Sequence, residues 1–208
     1  SDRFNELIQK ENPPMLSAFS GYSSLTKYQD CYIMYVNALT TDPIKSFKAT
    51  LTENERVKRF GFTTGELERA KKRLLSSYEN AYNEREKRLS SSIVGEYISN
   101  FTSGYPAPGI SYTYELAKSF LPTVTLDQVN SLPKKWITDE NQVMVVTGPV
   151  KDGVKIPTEK ELIAAKDEVM KSSIEPYIEK VLPTSLIKDD LKGSPVIKKE
   201  YIKEFDGT

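Results

Sequence analysis

The sequence predicts an α+β fold with a small antiparallel sheet, and three observations carry that expectation. The longest helical pattern of the chain runs from Phe60 to Gly104. The stretch Asp30 to Thr40, DCYIMYVNALT, has the β-branched and aromatic density of a well-buried strand. Gln142 to Val146, QVMVV, is a shorter apolar run ended by Thr147-Gly148-Pro149, and it is expected in the same sheet.

Asp2 to Lys10 reads as a short helix with Phe4, Leu7 and Ile8 on one side, closed by Asn12-Pro13-Pro14. Residues 18 to 26 and 30 to 40 are read as adjacent antiparallel strands joined near Lys27 to Asp30. Asp42-Pro43 then supplies an N-cap and a first-turn proline, with Ile44, Phe47 and Leu51 at helical spacing behind them. Thr63-x-x-Glu66 is a capping box that starts the long helix. Leu67, Ala70, Leu74, Tyr78 and Ala81, then Leu89, Ile93, Tyr97 and Phe101, continue its stripe, and Gly104 can end it in the left-handed conformation. Unbroken, such a helix would be about 60 Å long, so a kink is expected, and Ser90 to Ser92 is the place where serine side chains compete for backbone hydrogen bonds. The long helix is read as an amphipathic core helix.

After the extended turn Tyr105 to Gly109, a helix over Thr113 to Leu121 is followed by one starting at the capping box Thr125-x-x-Gln128. Leu126, Val129, Leu132 and Trp136 point inward in this second helix, which Pro133 should kink or shorten. Thr158-x-x-Glu161 caps a helix to about Ser172, and beyond Ile174 the chain reads as a tail. The expected division is 1–150 as one domain and 151–208 as a helix plus an extended interdomain linker.

Composition narrows the function classes. Lys plus Arg and Asp plus Glu each number 29, so no net field draws the chain to nucleic acid or to an anionic membrane, and neither is expected as a partner. No apolar run approaches the roughly 20 residues of a membrane span, so no membrane insertion is expected and the chain reads as soluble. The first residue is Ser1, not Met, and the start is read as a boundary that a removed targeting segment could precede. The single cysteine, Cys31, cannot form an intramolecular disulfide and is expected as a small buried strand residue. There are no histidines, which removes Ser-His-Asp and Cys-His catalysis and histidine metal sites together.

The remaining candidate chemistry is thin. Ser24-x-x-Lys27 and Ser131-x-x-Lys134 both fit the two-residue nucleophile pattern of penicillin-binding proteins, but the partner motifs Ser-Asp-Asn and Lys-Thr-Gly are missing. Glu66, Glu68, Glu79, Glu84, Glu86 and Glu96 are interleaved with Lys71, Lys72, Arg73, Arg85, Lys87 and Arg88, as on a solvated helix face. Asn100-Phe101-Thr102 is a glycosylation sequon placed within a helix. No catalytic, cofactor-binding or metal-binding residue is expected in these 208 residues.

The residues around the capping box also carry a resemblance. RFGFTTGELERAKKRLLSSYE closely resembles the helix entry of the non-catalytic domain of insulinase/pitrilysin-type zinc metallopeptidases. DRFNELIQKENPPMLSAFSGYSS resembles that family's helix-to-strand segment. EREKRLSSSIVGEYISNFTSGYPAPGI, PTVTLDQVNSLPKKWITDENQVMVVTGP and PTEKELIAA resemble its continuation, particularly in large bacterial members. The resemblance spans residues 2 to 165 and departs from the family at Pro133, where a smoother helix is usual.

The resemblance implies a metallohydrolase-like two-layer sandwich of three to four strands covered on one face by helices, entered partway through, with an open sheet edge. It implies a parent zinc endopeptidase whose inverted His-x-x-Glu-His motif lies elsewhere, since no histidine here can match it. The segment would form part of the chamber around a peptide substrate, its partners being the remaining domains of the same polypeptide. The alternative is an inactive scaffold or interaction subunit of the same fold. A periplasmic or cell-envelope location is implied by resemblance alone.

Overall fold

The computed structural model describes residues 2–179 and 193–205, and the chain divides into two compact units, Ser1–Ile178 and Glu179–Thr208. In the first unit, helix α1 (Asp2–Ile8) leads into the antiparallel hairpin β1 (Met15–Thr26) and β2 (Gln29–Ala38). Helices α2 (Pro43–Phe60), α3 (Thr64–Asn83), α4 (Ser90–Ser103), α5 (Ile110–Phe120), α6 (Leu126–Trp136) and α7 (Glu159–Lys171) follow. In the second unit the described residues hold a 3₁₀ turn at Lys203–Phe205 and an ion pair between Lys198 and Glu200.

The class is α+β, with helices on one face of the hairpin. Strand register places Ala18 opposite Val36, Ser20 opposite Met34 and Tyr22 opposite Tyr32 on one face. Helix α2 packs there: Tyr32 donates its hydroxyl to Asn54 Oδ1 at 2.5 Å, and burial raises the Tyr32 pKa. Tyr22 stacks on Trp136 of α6 with ring centroids 4.5 Å apart. The opposite face, with Phe19, Ile33 and Tyr35, is exposed.

Helix α2 is the hub of the core. Asp42 caps it by accepting from the Lys45 amide at 3.0 Å, and Pro43 stands at its first position. Ser46 and Thr50 are fully buried against Met15, at the root of the hairpin. On another side lies α7, whose buried Leu162, Ala165 and Val169 recur at spacings of three and four. Arg59 of α2 donates to the carbonyls of Met170 and Ser172 at 2.8 and 3.0 Å, satisfying orphan acceptors where α7 ends. Arg56 donates to the Glu175 carbonyl at 2.9 Å, and Ile174 is buried beside this junction.

Several expectations are corrected. The sheet has two strands among the described residues, and 142–146 stays extended and unpaired. Its residues alternate in exposure, Val143 at 87% and Val145 at 78% against Met144 at 40% and Val146 at 41%, so it has the period of a strand without a neighbouring strand to bond. Strand β2 has no buried residue, and Cys31 is half-buried rather than enclosed, because the outer face of the hairpin carries no second layer.

The long helix is also not a core helix. Neither α3 nor α4 contains a buried residue, and the break falls at 84–89, before the serines. Arg85 explains its position: the guanidinium stacks 4.3 Å from the Tyr82 ring and donates to the Tyr82 carbonyl at 2.9 Å, consuming an acceptor of the last turn. Tyr82 is itself held by a 5.1 Å stack on Tyr114 of α5. Ser90 to Ser92 form the first turn of α4, where the Ser92 amide bonds the Leu89 carbonyl at 3.0 Å and the ladder is not yet established. Pro133 sits buried inside α6, and Ile137 still bonds back to its carbonyl at 2.9 Å.

Gly61, between α2 and α3, has φ +74°, and a Cβ there would stand 2.5 Å from the Asn130 side-chain carbon. Asn130 fills that space because its amide bridges both backbone groups of Phe62, accepting at 2.7 Å and donating at 3.2 Å. Gly61→Ala combines a left-handed backbone with this collision and is expected to lower stability by about 1–3 kcal/mol. Urea denaturation checks it; a loss below about 0.5 kcal/mol, the level of a neutral surface change, would contradict the account.

Candidate functional site

An enclosed ion pair meets the N-terminus of α3, where the capping box is closed in both directions. The Glu66 amide donates to Thr63 Oγ1 at 3.2 Å and the Thr63 amide to Glu66 Oε2 at 2.8 Å. The same carboxylate receives Arg3 of α1 in bidentate fashion, Nε to Oε1 at 2.6 Å and Nη2 to Oε2 at 2.7 Å. Nη2 also donates to the Gly61 carbonyl at 3.0 Å. Side-chain exposure is 7% for Arg3 and 10% for Glu66, so this is a buried pair.

Two rings sandwich the guanidinium, Tyr177 with its centroid at 4.3 Å and Phe62 at 5.5 Å. Arg3 Nη1 is buried without a hydrogen-bond acceptor, in the company of these rings. The Tyr177 hydroxyl donates to Glu6 at 2.6 Å, and burial together with this bond pushes its pKa up to about 12. Burial raises the Glu66 pKa, but the hydrogen bonds and charge of Arg3 and the bonds from Thr63 outweigh it, leaving the carboxyl below the usual range. A carboxylate held by several donors and with a depressed pKa is a poor general base. The cluster therefore acts as a tie between α1, the entry of α3 and the end of the first unit.

The candidates from the sequence lie apart from one another. Ser24 Oγ donates to Asp30 Oδ1 at 2.7 Å and lies 3.4 Å from the Tyr105 hydroxyl, while Lys27 stands over the Tyr28 ring, so no lysine activates the serine. Ser131 Oγ donates to the Gln128 carbonyl within its own helix. Glu68 pairs with Lys71, Glu84 with Lys87, Glu86 with Arg85 and Glu96 with Arg88, as expected of a solvated face, and Glu79 is exposed on α3. Asn100 donates its amide to the Tyr105 carbonyl at 2.7 Å, a C-terminal tie of α4 that occupies the sequon nitrogen.

Two open hollows lie along α7, lined by Glu159, Lys160, Ile163, Ala164 and Asp167, and around Pro149 to Ile156, lined in part by Lys151 and Asp152. Among the described residues no three His, Cys, Asp or Glu side chains are grouped to hold a metal ion. No helix among the described residues is long and apolar enough to cross a membrane.

The sequence identified Glu66 as a cap but not its role as the counter-ion of Arg3. Arg3 was not singled out in the sequence, and Tyr177 stacks on its guanidinium from a distant part of the chain. No local signal could have paired residues 63 positions apart.

The architecture is thus an α+β layer whose buried charges serve packing, with an exposed sheet face and an unpaired extended segment. No family model matches the chain. A zinc protease PQQL-like protein of Arabidopsis thaliana is 27% identical over 135 residues, 64% of this chain and 14% of that protein. The crystal structure of the first half of the periplasmic protease PqqL from Escherichia coli matches with a TM-score of 0.71 at 17% identity, covering 86% of this chain and 38% of that one. A predicted insulinase family protease from Yersinia pestis matches with a TM-score of 0.60 at 13% identity, covering 81% and 36%. In sequence the chain is similar to part of a zinc protease-like protein, in fold it is similar to part of PqqL and of an insulinase-family protease, and it spans only a minor part of the length of these relatives.

Proposed function

We propose that the chain is a non-catalytic, chamber-forming segment of a zinc endopeptidase that hydrolyses peptides or proteins. The observation that carries this reading is a fold covering 86% of the chain but 38% of the first half of a protease, in a sequence without a histidine. The zinc ligands and the water-activating carboxylate then belong to other parts of the parent polypeptide, which are also this segment's partners. The exposed outer face of the hairpin and the unpaired alternation of 142–146 support the same reading, since both have the pattern of elements awaiting further strands. The division proposed is a peptidase-family domain over 1–150, then 151–208 as the helix α7, which packs back on α2, and an extended linker toward the next domain. A periplasmic location is proposed by analogy with PqqL.

The test compares the 208-residue chain with the complete polypeptide. Under this reading the chain alone binds no stoichiometric zinc, as read by elemental analysis after dialysis, and cleaves no unstructured peptide, whereas the complete polypeptide does both. Zinc-dependent cleavage by the 208 residues overturns the proposal. A complete polypeptide with neither property, carrying a degenerate His-x-x-Glu-His motif, replaces it with the inactive scaffold subunit.

A further inference from the structure

We propose that the apolar face of α4 is a docking surface for another part of the parent polypeptide; the inference rests on the reading just given and adds where that contact is made. Leu89, Ile93, Tyr97 and Phe101 follow one another at steps of four, and Val94 and Ile98 fill the adjacent row. Together they cover about half the helix circumference. All six are exposed, from 38% at Ile93 to 91% at Phe101, while no residue of α4 is buried. A helix with this stripe ordinarily turns it inward, and contiguous apolar surface left outside marks an interaction site.

Charge narrows the partner. The only charged side chain of α4 is Glu96, and Arg88 pairs with it. The far side carries Ser92, Gly95, Ser99 and Ser103, without the lysines and arginines by which interfacial helices hold to anionic lipid. A membrane is therefore a poor fit, and an uncharged apolar protein surface is a good one. A second copy of this chain is disfavoured by area. The helix has 14 residues and is about 21 Å long, so a symmetric pair of such helices falls short of the roughly 800 Å² per partner of stable interfaces. The parent supplies the alternative, since more than half of the matched protease half lies outside the length this chain covers.

Cysteine labelling tests the surface. In a Cys31→Ser background, Val94→Cys and Ile98→Cys report the apolar face and Ser99→Cys the far side. Maleimide reaction at 94 and 98 is expected to be at least about tenfold slower in the complete polypeptide than in the 208-residue chain, with position 99 changing less than about twofold. Equal rates at 94 and 98 in the two proteins overturn the proposal. So does protection in the 208-residue chain alone that grows with concentration alongside a dimer mass, or that appears on adding anionic vesicles. Zinc content and peptidase activity of the same complete polypeptide are read separately. Protection without either keeps the docking surface and overturns the peptidase reading; activity without protection does the reverse. Ile98→Glu with Phe101→Glu adds a second readout, lowering the melting temperature of the complete polypeptide while leaving that of the 208-residue chain in place.

Discussion

Replacing Arg3 by Met is expected to cost about 3–5 kcal/mol, among the largest effects of any single change in the chain. The reason is asymmetry. The intact pair gains little over a well-packed apolar pair, because removing two charges from water offsets most of their attraction, but an arginine taken away alone leaves the Glu66 carboxylate buried and unpaired. Loss of the guanidinium also frees the Gly61 carbonyl and unstacks Tyr177. Adding Glu66→Gln to Arg3→Met should recover about 2 kcal/mol, since glutamine keeps the capping box while removing the orphan charge. Denaturant titration of the single and double variants decides it: a single-variant loss below about 1 kcal/mol, or no recovery in the double variant, sinks the account.

The same pair fixes a pH dependence with a definite sign. Glu66 has a folded pKa below its unfolded value, so the unfolded chain binds the proton first as pH falls. Its contribution is fully present above the ordinary glutamate value of about 4.3 and is lost as pH drops through the lower folded value. Arg3→Met removes the main cause of the depression, so the acid limb of the stability curve should flatten in that variant. A wild-type and variant difference that stays constant from neutral pH to pH of about 3 would place the stabilisation elsewhere.

What the sequence made legible follows from the range of the interactions involved. The caps at Asp42, Thr63, Thr125 and Thr158 were readable because each is a bond between residues three apart, and all four are present. Gly104 in the left-handed conformation is equally local. The position of the break before α4 was not readable, because it depends on Tyr114 holding Tyr82 and on Arg85 then turning back over it. The pairing of 142–146 was not readable either: alternation states that a segment suits a sheet, not that a neighbouring strand is there to receive it. The Arg3 site combines both cases, with half of it, Thr63 and Glu66, visible as a motif and the other half brought in from residues 3 and 177. Zero histidines excludes histidine chemistry in every possible fold of the chain at once, which is a statement that composition alone can make.

Ser46→Ala sets local propensity directly against tertiary bonding. Alanine is the best helix former, and within α2 the change should favour the helix by roughly 0.5 kcal/mol. Ser46 is nevertheless fully buried, with its hydroxyl donating to the Pro14 carbonyl at 2.7 Å and accepting from the Leu39 amide at 3.0 Å. Those two groups lie where the chain enters β1 and leaves β2, so one hydroxyl ties both roots of the hairpin to the hub helix. Alanine leaves an amide and a carbonyl unpaired in the interior at about 1–3 kcal/mol each, and the expected net loss is about 2–4 kcal/mol. Thr50→Val, one turn on, removes only a bond from its hydroxyl to the Ser46 carbonyl and a weak contact to Met15 sulfur, and should cost about 1 kcal/mol. Hydrogen exchange separates the two by location: in Ser46→Ala the Leu39 amide should lose protection before the amides of β2, and in Thr50→Val it should not. A Ser46→Ala protein as stable as the parent, with the Leu39 amide still protected, would mean that water substitutes for the hydroxyl and that the hairpin is held by its apolar contacts with α2 alone.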